Sequence, residues 1–145
     1  MMKKFNHANI GLFALLTALL SLSSCSSDDD NYPKEYVGFE HSTSKVNCDK
    51  NETEKEIQIK IIAVKKSKED RTVALTAPTV APGRVEILKL TENKVTIKAG
   101  KKSATTIVKI FPQKMPLKQQ NVTLSCIPQW KDGIGSKLSI QINRN

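Results

Sequence analysis

From residue 36 onward apolar residues recur at every second position, the period of a strand with one buried face. The alternation is cleanest where Ile57, Ile59 and Ile61 interleave with Glu56, Gln58 and Lys60, and it returns in Val122, Leu124 and Cys126, then in Leu138, Ile140 and Ile142. The pattern predicts strands over 36–40 and 44–48, then 56–64, 71–77, 94–99, 103–111, 121–128 and 137–143. Helical spacing is sustained nowhere in this stretch. Short strands at near-even spacing, joined by turns of Lys, Gly, Asp and Asn, predict an all-β domain over 36–145, a single antiparallel sandwich of about seven strands. A domain of that size buries roughly 65% of its unfolded surface, enough for one core. The pattern lapses over 80–93. Ala81-Pro82-Gly83 interrupts it, and Val85, Ile87, Leu88 and Leu90 fit neither period. An irregular crossover and an extra edge strand are both compatible with that segment, and the crossover is favoured.

The first residues follow a different pattern. Lys3 and Lys4 precede an uncharged apolar run of 11 residues, Ile10 to Leu20, followed by Leu22-Ser23-Ser24-Cys25. A spanning helix needs about 20 apolar residues, so the run reads as the core of an export signal. Leu three positions before the cysteine, two serines and the cysteine resemble the lipobox of a bacterial lipoprotein. The resemblance implies cleavage after residue 24 and acylation of Cys25, with anchoring in the lipid bilayer through that residue. Several chains at about 0.8 kcal/mol per buried CH₂ would make release negligible. Ser26, Ser27, Asp28, Asp29 and Asp30 follow, polar and acidic, and 25–35 reads as a solvated, flexible tether. The acidic run is similar to the surface-export signal of Bacteroidetes lipoproteins, which implies display on the outer face of the outer membrane; a periplasm-facing lipoprotein is the alternative. Ten tether residues reach at most about 33 Å.

Within the domain, Val95 to Ile110 reads VTIKAGKKSATTIVKI, with YVGFE at Tyr36 to Glu40 and LSIQI at Leu138 to Ile142. These segments resemble Calx-beta-like domains and the immunoglobulin-like N-terminal domains of Bacteroidetes surface lipoproteins, many of them from glycan-utilisation systems. The resemblance implies a recognition or accessory domain for glycans or host polymers. Calcium-binding Calx-beta domains place acidic clusters in the loop that here reads Pro112-Gln-Lys-Met-Pro-Leu-Lys-Gln-Gln120, with no acid, and a hard cation needs several carboxylate or carbonyl oxygens.

Little catalytic chemistry is encoded. His41 is the one histidine after the signal, in a polar HSTS stretch with no spacing to a serine and an oriented acid. Neither zinc ligation nor a phosphate loop can be assembled from the spacings, so no metal, cofactor or enzymatic role is expected. Glu52, Glu54 and Glu56 recur at period two and would share one face if the strand extended that far, where solvation is the simpler reading than a glycosidase pair. Cys48 and Cys126 lie on the apolar phase of their strands, so a disulfide or two buried thiols are both compatible with an oxidising compartment. The usual strand order separates them and favours free thiols.

Charge adds a location. The chain holds 23 Lys+Arg against 14 Asp+Glu, a net +9. Arginine occurs only at Arg71, Arg84 and Arg144, and the lysine excess argues against nucleic acid, whose phosphates favour the guanidinium fork. In an immunoglobulin-like sandwich the turns after 56–64, 94–99 and 121–128 gather at one end. They carry Lys65, Lys66, Lys68, Arg71, Lys101, Lys102, Lys131 and Lys137, and that end also receives the tether. A basic end facing anionic lipid headgroups or anionic glycans is one reading, and solvated turn lysines the other. Were 85–90 a full strand, the alternation of turns would split this cluster. Trp130 beside Lys131 is the one expected stacking residue, with a hairpin-clasp role as the alternative. Docking to an outer-membrane protein complex is the second functional class.

Overall fold

The computed structural model describes residues 32–145; the export signal, Cys25 and the run 26–30 lie outside them. Nine strands are present in that region: β1 (Val37–Phe39), β2 (Thr43–Cys48), β3 (Lys55–Ala63), β4 (Arg71–Thr76), β5 (Leu88–Leu90), β6 (Lys94–Ile97), β7 (Ser103–Ile110), β8 (Gln119–Pro128) and β9 (Ser136–Arg144). One sheet runs β1-β3-β7-β5 and the other β2-β9-β8-β4-β6. The alternation of the sequence is the alternation of the fold: Ile59 and Ile61 of β3 face Val73 and Leu75 of β4, Leu124 of β8 and Ile140 and Ile142 of β9 across one core. All strand pairs are antiparallel except β2 with β9, which run parallel from Thr43 opposite Ser139 to Cys48 opposite Arg144.

The segment over 85–90 departs from the favoured crossover. Its last three residues form β5, pairing with the end of β7 through Leu88 opposite Ile110. The cluster of turns is nevertheless not split. β5 and β6 run in the same direction, because the chain changes sheets between them: Thr91 N donates to Ile107 O of the first sheet, and Asn93 O accepts from Leu75 N of the second. Together they form one interrupted strand rather than two that reverse. β1 and β2 repeat the device on the opposite side, with Glu40 N donating to Lys60 O and Ser42 O accepting from Ser139 N. Each lateral edge of the sandwich is thus crossed by a continuous run of chain.

Cys48 and Cys126 are both buried and free. Cys48 pairs with Arg144 at one end of β9 and Cys126 with Ser136 at the other, eight residues apart along that strand. At about 3.3 Å per residue that separation is far beyond disulfide reach. Burial pushes the Cys126 thiol up to about 11, partly offset by a hydrogen bond with Ser136.

The 112–120 loop opens with a single 3-10 turn, Pro112–Lys114. Its carbonyls are engaged by an internal cation: Arg144 Nη1 donates to Pro112 O at 3.3 Å and Met115 O at 3.1 Å.

A candidate recognition cleft beside the first strand

The turns after β3, β6 and β8 do meet at one end of the sandwich. Gly100 N donates to Ser67 O, Ala63 N to Lys102 O and Gln129 N to Thr72 O, which joins all three connections. Lys65, Lys66, Lys68, Lys101, Lys102, Lys131 and Lys137 are exposed there. Arg71 is half-buried, and its Nη2 folds back onto Lys65 O at 2.7 Å. Asp70 is held by Lys98 Nζ and by Ala99 N, each at 2.8 Å, and these bonds lower its carboxyl below the ordinary value. Lys65 pairs with Glu35, so the chain enters β1 from this basic end.

Trp130 is 38% exposed in the hairpin between β8 and β9. A side chain on Gly133 would collide with Pro128 and reach Trp130 Nε1, so the indole closes over its own hairpin rather than over a groove. β3 begins at Lys55, so Glu52 and Glu54 precede the strand that carries Glu56. Lys109 lies 2.7 Å from Glu54 and 3.4 Å from Glu56, and these carboxylates raise its ammonium pKa. His41 is exposed, 3.5 Å from Glu40.

The cleft lies elsewhere. Tyr36 N donates to Pro33 O in a tight turn, and this brings Tyr32 back against Tyr36 with ring centroids 4.7 Å apart and planes at 26°. Tyr32 Oη donates to Glu40 O and Tyr36 Oη to Phe39 O, fixing both rings. Tyr32, expected within the flexible tether, is therefore held against the domain, while Pro33, Lys34 and Glu35 remain exposed. The pair borders a hollow of about 450 Å³ floored by Phe39 and rimmed by Glu40, His41, Ser42, Thr43, Ser136 and Lys137. Ser136 is its hub: its Oγ accepts from Phe39 N at 3.0 Å, and it also hydrogen-bonds to Tyr36 and Cys126. Burial raises the Tyr36 phenol, so this ring is a neutral stacking surface at physiological pH.

Thr43 is common to this hollow and to a second one on the outer face of the larger sheet, lined also by Lys45, Asn121, Ser139 and Gln141. Register aligns Thr43, Ser139 and Thr123 in one row and Lys45, Gln141 and Asn121 in the next. The outward positions of β2, β9 and β8 also include Asn47, Lys137, Asn143, Gln119, Ser125 and Ile127. None of these positions is acidic. Amides, hydroxyls and a few ammonium groups therefore present donors and acceptors without carboxylate competition. Sequence reasoning missed the tyrosine pair, although two tyrosines four apart around a proline were its visible signal.

No protein-family model matches the sequence, and no characterised protein is similar to it in sequence. Solved structures do match the fold. A "putative carbohydrate binding protein" from Bacteroides ovatus ATCC 8483 aligns over 77% of this chain and 37% of its own, with a TM-score of 0.58 and 11% identity. The CBD12 segment of CALX1.2 aligns over 74% and 44%, at 0.53 and 9%. The periplasmic chaperone SfaE aligns over 76% and 58%, at 0.51 and 13%. The chain spans less than two thirds of each of these proteins. At such identities the likeness concerns the fold alone, an immunoglobulin-like, Calx-beta-like β-sandwich.

Proposed function

We propose that this chain is a non-catalytic, lipid-anchored recognition module of the outer-membrane surface that binds an anionic glycan chain. The observation that carries the reading is the stacked Tyr32–Tyr36 pair at a hollow that shares Thr43 with a carboxylate-free sheet face. Aromatic rings offer apolar surface with defined geometry to the C–H face of a sugar. The neighbouring Thr, Ser, Asn and Gln side chains match its hydroxyls, and Lys45 and Lys137 match its acidic groups. The Bacteroides carbohydrate-binding neighbour supports the same class. The lipobox around Cys25 supports the anchor, and Ser26 to Asp30 support surface display. In cells, Cys25→Ser is expected to abolish palmitate labelling and release the protein from membranes; a retained label would exclude this anchor.

The binding test is affinity electrophoresis of residues 32–145 through acidic and neutral polysaccharides. An acidic polysaccharide should retard the domain, and Tyr32→Ala should weaken that binding about tenfold, roughly 1.4 kcal/mol. Lys89→Ala, on the opposite sheet, should leave it unchanged. A docking module for an outer-membrane assembly is the second reading, favoured by exposed Val80 and Val85 at an apolar hollow of about 280 Å³. Absence of retardation, with membrane-complex association lost in Val85→Asp, would replace the first reading by the second.

A further inference from the structure

We infer that the hairpin between β8 and β9 is a second, non-covalent membrane contact, a foot that inserts Trp130 and Ile134 into a bilayer with anionic headgroups. Ile127, Trp130 and Ile134 are 48%, 38% and 69% exposed, and all belong to this one hairpin. Isolated exposed apolar residues are ordinary, but a cluster at one end of a small domain marks a contact surface. The hairpin is also closely packed. Gly133 leaves no room for a side chain against Pro128 and Trp130, and Asp132 adopts a positive φ of 63° to make the turn. The indole is therefore held at the tip with part of its surface in water, the amphipathic placement a membrane interface favours.

Charge selects the partner. Lys131 is in the tip, and exposed Lys66, Lys68 and Lys101 lie on the other turns of the same end. Of the carboxylates at this end, Glu35 and Asp70 are engaged by Lys65 and Lys98, and exposed Glu69 and Asp132 leave the end with an excess of lysine. An apolar tip on a lysine-rich end complements headgroups that are negative above an apolar interior. Geometry agrees, given the lipid-anchor reading. Cys25 precedes Tyr32 by seven residues, at most about 25 Å of chain, and the chain enters the domain at this same end. A protein held there presents the hairpin to the surface that holds it.

The chain contains a single tryptophan, so its emission reports on this hairpin alone. The buried core lies wholly between Val37 and Ile142, so residues 32–145 can be examined without the anchor. These residues are mixed with vesicles of phosphatidylcholine alone or of phosphatidylcholine with phosphatidylglycerol. The mixed vesicles should shift the emission to the blue and permit quenching by brominated acyl chains, while the neutral ones should not. Rising salt should weaken the effect. Ile134→Ser and Lys131→Glu, both at exposed sites, should each raise the lipid concentration for half-maximal shift about tenfold. Unchanged emission with mixed vesicles would overturn the inference. So would binding that is indifferent to Ile134→Ser, which would indicate adsorption through lysines alone. Neither outcome depends on acylation of Cys25, which the palmitate label tests separately.

Discussion

Replacing Phe39 with alanine is expected to lower the unfolding free energy by about 3–5 kcal/mol. Phe39 is 1% exposed, and it is the one aromatic ring of the core among the described residues, where its neighbours are Ile, Val, Leu and other aliphatic or sulfur-containing side chains. Such side chains, each fixed in its own strand, cannot collapse into the space of a lost ring, so both transfer energy and packing are forfeited. A domain of this size has about 5–15 kcal/mol in total, and the loss would shift the melting midpoint by roughly 15 °C. Urea titration of the two proteins measures it. A change below about 1 kcal/mol would show that β1 contributes little to the core. Phe111 is the internal comparison: it is only half-buried, with Lys114 Nζ 4.3 Å above its ring, and its truncation should cost much less.

The second large effect is expected at Gly38. A Cβ at this position would come within 2.8 Å of Ser136 Cβ and 2.9 Å of Tyr36 Oη, and closer still to Ser136 Oγ. Ser136 could rotate away only by giving up its bond from Phe39 N, and Tyr36 only by giving up its bond to Phe39 O. Gly38→Val is therefore expected to cost about 3 kcal/mol, at the upper end for overpacking. It should also abolish polysaccharide retardation by displacing Tyr36. The steric origin is tested by Gly38→Ala with Ser136→Gly. If the clash with Ser136 dominates, the double variant should be more stable than the sum of the single changes predicts. Strict additivity would locate the cost elsewhere.

These two residues also mark the boundary of what the sequence made legible. The strands were readable where one face is buried and the other wet, as in Ile57, Ile59 and Ile61 or Leu138, Ile140 and Ile142, because a period of two has no other economical explanation. The meeting of basic turns followed from the layout expected of an immunoglobulin-like sandwich. β5 was not readable: it is three residues long, and its neighbours Val85 and Glu86 remain exposed, so no alternation builds up. Nor could periodicity reveal that β5 and β6 belong to different sheets while pointing the same way, since that depends on which partner each strand finds. The cleft failed to register for a related reason. Tyr32 lies four residues before Tyr36 in a segment with the composition of a tether, and only the turn at Pro33 places the rings together. The uncharged-to-basic outer face, by contrast, was present in the outward phase of 119–127 and 137–143 as a run of amides and hydroxyls without an acid.

The parallel pairing of β2 with β9 has a mechanical consequence. Under the proposed anchor, drag on the protein would enter the fold at Tyr32 and pass through β1 into β2. A pull toward the membrane acts along the axis of β2, while β9 is retained by β8 through a long antiparallel ladder. Six residue pairs between β2 and β9 are then stressed together in shear, rather than being opened one after another as in a peeled hairpin. Resistance to forced unfolding is a matter of rate, and a ladder that must yield all at once raises the barrier that sets that rate. The same arrangement that seals one side of the core thus sets β2 and β9 in shear along the direction in which the proposed anchor would pull.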